Sequence, residues 1–539
     1  MQSDFNSSQL KQPRKLVKAL TAGAALVAVS AFLAAGSFVS PAKAGTASKP
    51  ATKANPATQG SWSSPFNVGV TAIHSVMLYT GQVLMWYYPA TDNSTTEPAV
   101  LYNPTTNQLT NVDIPIGVGN DGLSNEFFCA GENVMADGKV MVTGGLHGIP
   151  PSEDLGIVQT EIFDPASTTW TPGPNMNYGR WYPTSITLPS GATMVISGIN
   201  STGTATVGPL EEYTEVSNKW ALLKTTANLP ANIESYPHVY VNTNGDLVVV
   251  GQLQTTRLFS HTTNTWSILG SMNYGNRVYG SNALLPGLNT ILAIGGRPSS
   301  TLCTWKDVNT CATNTAEVFN MTTNTWSYTG SMQYSRYNAI LEALPDGTYL
   351  AMGGNNVLRY ANPIEAAELY NPTTGVWTTM ASQQSIRGYH STGVLLPDGR
   401  VLSAGSDSNQ VGGGVKRAAS SQDPYTVEIY SPPYLFNGTR PTITSTPGAV
   451  KYGAQFTINT PDASTIKTVA LIRPSATTHA QDWEQRYVTL SFTVGNGVIT
   501  ATAPANSNIA PPGYYMVDIV NTSGVPAVMP FIKVNNVGK

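Results

Sequence analysis

The chain has 539 residues, a formal net charge of -3 and 11% charged side chains, where roughly 25% is usual in soluble proteins. With 41% apolar residues it can build a large core, which excludes a disordered charged chain. No basic excess or stripe exists to neutralise phosphates, so nucleic acid is not an expected partner.

The first segment reads as a targeting signal. Lys11, Arg14, Lys15 and Lys18 precede an uncharged Ala- and Val-rich stretch, residues 19–39, and then Ala42-Lys43-Ala44, a small-x-small cleavage pattern. Export with cleavage near Ala44 is one expectation. The other keeps the 21-residue apolar run as an N-terminal membrane anchor. Either way residues 1–44 place the bulk of the chain outside the cytoplasm, secreted or at the cell surface. What remains carries 23 basic and 30 acidic side chains, a net charge of -7. Residues 45–65, rich in Thr, Ala, Pro and Ser, read as a linker.

From residue 66 one phrase recurs: EIFDPASTTW (161–170), EEYTEVSNKW (211–220), RLFSHTTNTW (257–266), EVFNMTTNTW (317–326) and ELYNPTTGVW (368–377), with a weaker copy from Ala99. Each is an alternating stretch, a turn rich in Asn, Thr and Pro, and a Trp opening the next strand; the Trp spacings are 50, 46, 60 and 51 residues. Between copies lies a strand–turn–strand unit such as LPDGTYLAMGG or LLPDGRVLSAG, with a tight turn and closing glycines expected to let strands converge near an axis. Seven such hairpins occur, near residues 71–88, 127–145, 180–198, 236–251, 278–296, 336–354 and 388–405. Four strands per period of about 50 residues is the kelch pattern, which predicts a seven-bladed β-propeller over 66–436, with VEIYSPPYL (427–435) completing the last blade. Residues 437–539 show short alternating strands and predict an immunoglobulin-like β-sandwich. The fold class is all-β.

The chain has three cysteines. Cys303 and Cys311 share the loop TLCTWKDVNTCAT and read as a local disulfide, which leaves Cys129 over. Cys129 lies at the start of a hairpin's first strand, in NEFFCAGENV; Tyr182, in GRWYPT, and Tyr389-His390, in RGYHST, lie at equivalent points of later blades. Equivalent propeller positions point at one mouth of the channel, so these should meet. His479, in RPSATTHAQDWEQR, joins them only if the C-terminal domain inserts a loop into the channel; its simpler reading is a surface histidine. Tyr236, Tyr279 and Tyr337 also open hairpins and read as packing, while His74, His147, His238 and His261 read as structural. Two imidazoles and two phenols suit Cu(II). No carboxylate-rich loop suggests calcium and no close Cys/His cluster suggests structural zinc.

At these residues the sequence resembles the copper radical oxidases, the family of galactose oxidase and glyoxal oxidase. The resemblance covers roughly residues 66–539, and RWYPT around Tyr182 looks closer to the glyoxal oxidase branch. It implies one copper ion held by Tyr182, Tyr389, His390 and His479, and a Cys129–Tyr182 thioether whose ring carries a radical. It also implies that Tyr389 acts as general base and that a tryptophan lies over the crosslinked ring. Trp305 is the candidate there; Trp181 is a poorer one, because neighbours on a strand face apart. The implied reaction oxidises small aldehydes, as hydrates, or primary alcohols and reduces O2 to H2O2. A monomer is expected. Tyr389 and His390 can share one metal only if the chain turns between them, and Gly388 is expected to permit this. The competing readings are a silent propeller binding glycans or a protein, which needs no such donor set, and a hydrolase, which needs acids and arginines at the mouth.

Overall fold

The repeated phrase folds as its turn chemistry dictates. In FDPASTTW the Asp164 carboxylate accepts the Ala166 N–H at 2.9 Å, and in the later copies Asn320 and Asn371 take the same role toward Thr322 and Thr373, at 2.8 and 2.9 Å. Each turn then needs one left-handed residue, supplied by Thr168, Asn218, Asn264, Asn324 and Gly375 at φ between 48° and 69°. The Trp that follows pairs across the strands with an aromatic: Phe163–Trp170, Phe259–Trp266 and Tyr370–Trp377 have ring centroids 4.9–5.0 Å apart. In three copies its indole N–H reaches the preceding blade, from Trp170 to the Val112 carbonyl at 2.7 Å, from Trp266 to the Ala227 carbonyl at 2.9 Å and from Trp326 to the Thr256 hydroxyl at 2.9 Å.

A computed structural model describes residues 55–535 except 88, 90, 92, 149–154, 231–232, 299–311, 357–362 and 407–424. Seven antiparallel sheets of four strands form the blades. Their inner hairpins begin at His74–Met77, Gly131–Val134, Thr184–Thr187, His238–Val241, Ser281–Leu284, Ile340–Ala343 and Ser391–Leu395. All seven expected hairpins are present. The last blade is closed from the other end of the propeller chain. Ser61–Trp62 and Phe66–Asn67 both pair with Thr426–Ser431, and the Trp62 indole N–H donates to the Ala381 carbonyl at 2.8 Å. This corrects the linker reading of 45–65 for its final residues. A strand of two residues has no alternation to read.

The closing glycines also act differently from the expectation. Gly145, Gly296 and Gly354 donate their N–H to the backbone carbonyls of Arg180, Arg336 and Arg387 in the next blade, at 2.6–3.0 Å. A Cβ on Gly144 or Gly295 would lie 2.2 Å from one of those carbonyls. They serve blade-to-blade contact, not convergence at the axis. Two of these arginines, Arg180 and Arg336, and Arg277 at the equivalent place of the fifth blade pair with Glu211, Glu368 and Glu317 at 2.9, 2.6 and 2.9 Å, all at most 1% exposed.

Beyond the propeller, a five-stranded sheet and the three-stranded sheet of Gln455–Asn459, Val498–Thr502 and Phe492–Gly495 form the sandwich. Between its strands Ile466–Ile472 and Tyr487–Thr489 the chain leaves the sandwich and enters the channel. Its hairpin Ala476–Thr478/Gln481–Asp482 adds to the inner edge of the first blade, with His74 opposite Thr478 and Val76 opposite Ala476. Every residue from 473 to 486 is buried.

This plug touches every blade. Besides that first-blade pairing, Arg473 donates to the Val134 carbonyl, and Glu484 accepts the Thr187 N–H. Arg486 donates to the carbonyl of Val241, Gln481 to Gly280, Gln485 to Leu341, and Thr477 to Gly393. Buried polar groups must be satisfied, and here plug and channel satisfy each other. Asp482 accepts the N–H groups of Glu484 and Gln485 at 3.0 and 3.1 Å. Glu342 accepts the Ser475 hydroxyl at 2.7 Å. Burial raises the pKa of both carboxyls against the opposing hydrogen bonds.

Two outcomes are expected. Arg336→Met strands the Glu368 carboxylate in the interior and should cost about 3–5 kcal/mol, read as a lower urea midpoint and partly restored by adding Glu368→Gln. Because the folded state raises the carboxyl pKa values in the plug, their stabilising contribution is complete at acid pH. It is lost as pH climbs past the ordinary carboxylate range through the raised values. Asp482→Asn, which keeps the acceptor oxygen, should flatten the fall of the urea midpoint between pH 5 and pH 8.

Candidate metal centre

Entry into the inner strand is a sharp reversal in six of the seven blades, the second to the seventh, and one residue in each takes it in the left-handed region. Cys129, Tyr182, Tyr236, Tyr279, Asn338 and His390 have φ of 55°, 61°, 49°, 58°, 54° and 66°. Non-glycine residues rarely adopt this conformation, and it persists only where the surroundings over-determine it. Backbone bonds supply the constraint: the Tyr182 N–H donates to the Cys129 carbonyl at 3.0 Å, and the Tyr236 N–H to that of Tyr182 at 2.9 Å. The side chains of successive blades are thereby aimed at one mouth of the channel.

The plug delivers the remaining donor. His479 and Ala480, both left-handed at 52° and 62°, form a two-residue turn of the type I′ kind. His479 thus sits at the tip of the hairpin, and the Ala480 N–H donates to the Ser391 carbonyl at 2.7 Å. The Thr478 hydroxyl lies 2.7 Å from its Nδ1, which leaves Nε2 for the site.

The five expected side chains meet. The Cys129 Sγ lies 3.3 Å from the Nε2 of His479 and 3.9 Å from that of His390. The Tyr182 and Tyr389 hydroxyls are 2.8 Å apart, and the Tyr182 and His479 rings meet edge to face at 5.1 Å. The donor atoms of Cys129, His390 and His479 lie within 4.8 Å of one another, the single such cluster of His, Cys, Asp or Glu among the described residues. Cys129 is in no disulfide. Burial, reinforced by Cys129 and Tyr389, holds the Tyr182 phenol well above its ordinary pKa. Burial, then the neighbouring His390 and His74, keeps His479 neutral and far below the usual imidazole range. The neutral His479 imidazole and the Tyr182 phenol are donors that a divalent cation can bind, displacing the phenol proton to balance its charge.

Two local expectations change. The chain does turn at Tyr389-His390, but the left-handed residue is His390, not Gly388. Their rings lie 3.9 Å apart, side by side. Trp181 packs 4.5 Å from the Tyr182 ring, because the reversal at Tyr182 breaks the alternation that would have parted them. Trp305 and the Cys303–Cys311 pairing lie outside the described residues. Tyr236 packs as read, edge-on to Tyr182 at 4.9 Å, and its hydroxyl also donates to the Ala130 carbonyl at 2.7 Å, which pins the residue after Cys129. The other histidines have structural partners: His74 pairs with Glu132 at 3.0 Å and stacks on Trp86. His147 lies 2.7 Å from Asp121, and His238 and His261 contact Asn282 and Glu212.

Comparison with known proteins agrees with this arrangement. A family model described as glyoxal oxidase N-terminus matches residues 90–434, and one described as galactose oxidase-like, early set domain, matches 440–534. A galactose oxidase of Gibberella zeae is 26% identical, covering 88% of this chain and 70% of its own length. Aldehyde oxidase GLOX1 of Arabidopsis thaliana is 27% identical, covering 76% of this chain and 72% of its own. The solved structure of a fungal alcohol oxidase of the AA5 family, in complex with copper, superposes with a TM-score of 0.74 at 25% identity, over 89% of this chain and all of that one.

Thr478→Val removes the group that orients His479. Copper affinity of the metal-free protein, measured by competition with a chelator, should fall about 10–100-fold while the urea midpoint changes little.

Proposed function

We propose, from the premise that this chain belongs to the copper radical oxidase family, that it is an exported oxidase of small aldehydes, taken as hydrates, or of primary alcohols. The balanced reaction for a hydrate is RCH(OH)2 + O2 → RCOOH + H2O2. The observation that supports it is the meeting of the Cys129 sulfur, two imidazoles and two phenols at one buried point. Hydrolysis or simple binding requires none of these.

The donor set fits copper, with Tyr182, Tyr389, His390 and His479 as the groups that would hold it. When bound, copper supplies Lewis acidity and a one-electron couple at this point. The rest is the work of the chain. Tyr389 is half-buried, whereas Tyr182, His390, His479 and Cys129 are almost sealed, so substrate approaches on the Tyr389 side. Tyr389 is placed to take the proton of the reacting hydroxyl. Tyr182, once its ring carbon is joined to the Cys129 sulfur, holds the second oxidising equivalent as a phenoxyl and takes a hydrogen atom from the substrate carbon. The thioether delocalises that radical and lowers its potential. Trp181, packed on the Tyr182 ring, shields it from solvent.

Thioether formation removes one hydrogen from sulfur and one from the ring, with O2 as oxidant. Intact mass of copper-loaded protein should fall by two hydrogens relative to copper-free protein. Cys129→Ser and Tyr182→Phe should each abolish that loss and the release of peroxide from glyoxal-type aldehydes. Copper-loaded wild type with an unchanged mass sinks this reading. Galactose run beside the aldehydes separates the two branches of the family. Export is tested by the N-terminus of the mature protein, expected near residue 45.

A further inference from the structure

A cation, Arg297, stands on the rim of the metal centre with no acid to neutralise it among the described residues. Three blades place a residue beside the reversal through a single bridge: Ile199 beside Trp181 in the third blade, Asn355 beside Tyr337 in the sixth, and Arg297 beside Val278 in the fifth. The Arg297 backbone is held on both sides, its N–H donating to the Val278 carbonyl at 3.0 Å and its own carbonyl accepting the Val278 N–H at 2.8 Å. Its guanidinium carbon lies over the Tyr279 ring, 5.7 Å from the centroid. The Tyr279 ring in turn meets Tyr389 edge to face at 6.2 Å. Arg297 is thus one aromatic ring away from the residue placed to take the substrate proton.

Among the described residues Arg297 forms no ion pair, and its Nε is buried without an acceptor. Among the described residues, the acids of the neighbouring elements are engaged elsewhere. Glu317 is paired with Arg277, and Glu234 accepts the N–H groups of Gln252 and Leu253. With Nε closed to solvent, an incoming carboxylate can meet this half-buried guanidinium only end-on, at the terminal nitrogens Nη1 and Nη2, an edge that is also bidentate. Arg297, Tyr279 and Tyr389 are all half-buried, so the open side of the centre runs past this edge.

We propose that Arg297 binds the carboxylate of the substrate, and that this oxidase acts on aldehydes carrying a carboxylate at the far end of a short chain. The inference rests on the oxidase reading above. The ring of Tyr279 separates the two ends of the site, which selects a four- or five-carbon semialdehyde over a two-carbon one. The reaction is OHC–R–COO⁻ + H2O + O2 → ⁻OOC–R–COO⁻ + H⁺ + H2O2. The aldehyde loses two electrons to O2, and water supplies the new oxygen.

The test compares succinic semialdehyde with butanal, which has the same carbon count and no charge, using copper-loaded protein. A second arm measures succinate binding to metal-free protein by calorimetry. Wild type should favour the semialdehyde at least about tenfold in kcat/KM, mainly through KM, with the preference shrinking as salt rises. Arg297→Gln should reduce that preference, and weaken succinate binding, by about tenfold or more; Arg297→Lys, a point charge without the fork, should recover part of each. Equal kcat/KM for the two aldehydes in wild type, or succinate binding unchanged in Arg297→Gln, overturns the proposal. If wild type releases peroxide but shows no preference, the oxidase stands and this inference falls. If it releases none and its mass is unchanged, the oxidase reading falls, and the succinate arm alone decides whether Arg297 is a carboxylate site.

Discussion

The structure depends on the docking of a polar hairpin into a channel lined by backbone. Seven inner strands converge on the propeller axis, and each leaves one edge without a further strand to pair with. Unpaired backbone groups in a closed space are costly. The segment 473–486 meets them with one pairing strand and the side chains of Arg473, Thr477, Gln481, Glu484, Gln485 and Arg486. A hydrophobic plug would fill the same volume and leave those groups unmet. That explains how a run as polar as RPSATTHAQDWEQR is buried along its whole length. The sandwich is therefore more than an appendage: its hairpin is the internal brace of the propeller and also the carrier of His479.

The second organising feature is the left-handed residue at six of the seven blade entries. It has an unfavourable backbone, yet it is where function is assembled. Cys129, Tyr182 and His390 occupy the same structural slot in three blades, and ring closure brings that slot to one mouth. Repetition of a local geometry around an axis converts three sequence-distant residues into neighbours. Tyr389 is the exception, one residue before the slot, and it is the member of the set that faces the open side. A base that must exchange protons with an incoming molecule gains from that position. A radical carrier gains from the sealed one that Tyr182 occupies.

Electrostatics follow the same division. The Tyr182 phenol and the His479 imidazole are kept neutral by burial, and the acids beneath them are occupied: Glu132 is paired with His74, and Glu484 with Arg473. Charge reappears at the rim, where Arg297 has no counterpart among the described residues. A neutral, preformed donor set surrounded by satisfied groups costs little to reorganise when a cation arrives.

Much of this was legible in the chain because it is local. The Asn-Thr turns, the Trp that opens each outer strand and the seven hairpins are set by contacts a few residues apart, so propeller and sandwich follow from periodicity. The five donors were recognisable through their family resemblance and their shared position at blade entries. What only the tertiary structure decided depends on contacts made after the ring closes. Among these are the Ser61–Trp62 strand on the last blade, the glycines that receive the next blade's arginine, Trp181 against Tyr182, and the solitary Arg297 at the rim. Above all there is His479, 350 residues from Cys129 and 3.3 Å away from it in space. Its sequence neighbourhood reads as a polar surface loop, and nothing local could reverse that reading, because the partners that make its burial favourable are backbone groups of seven separate blades.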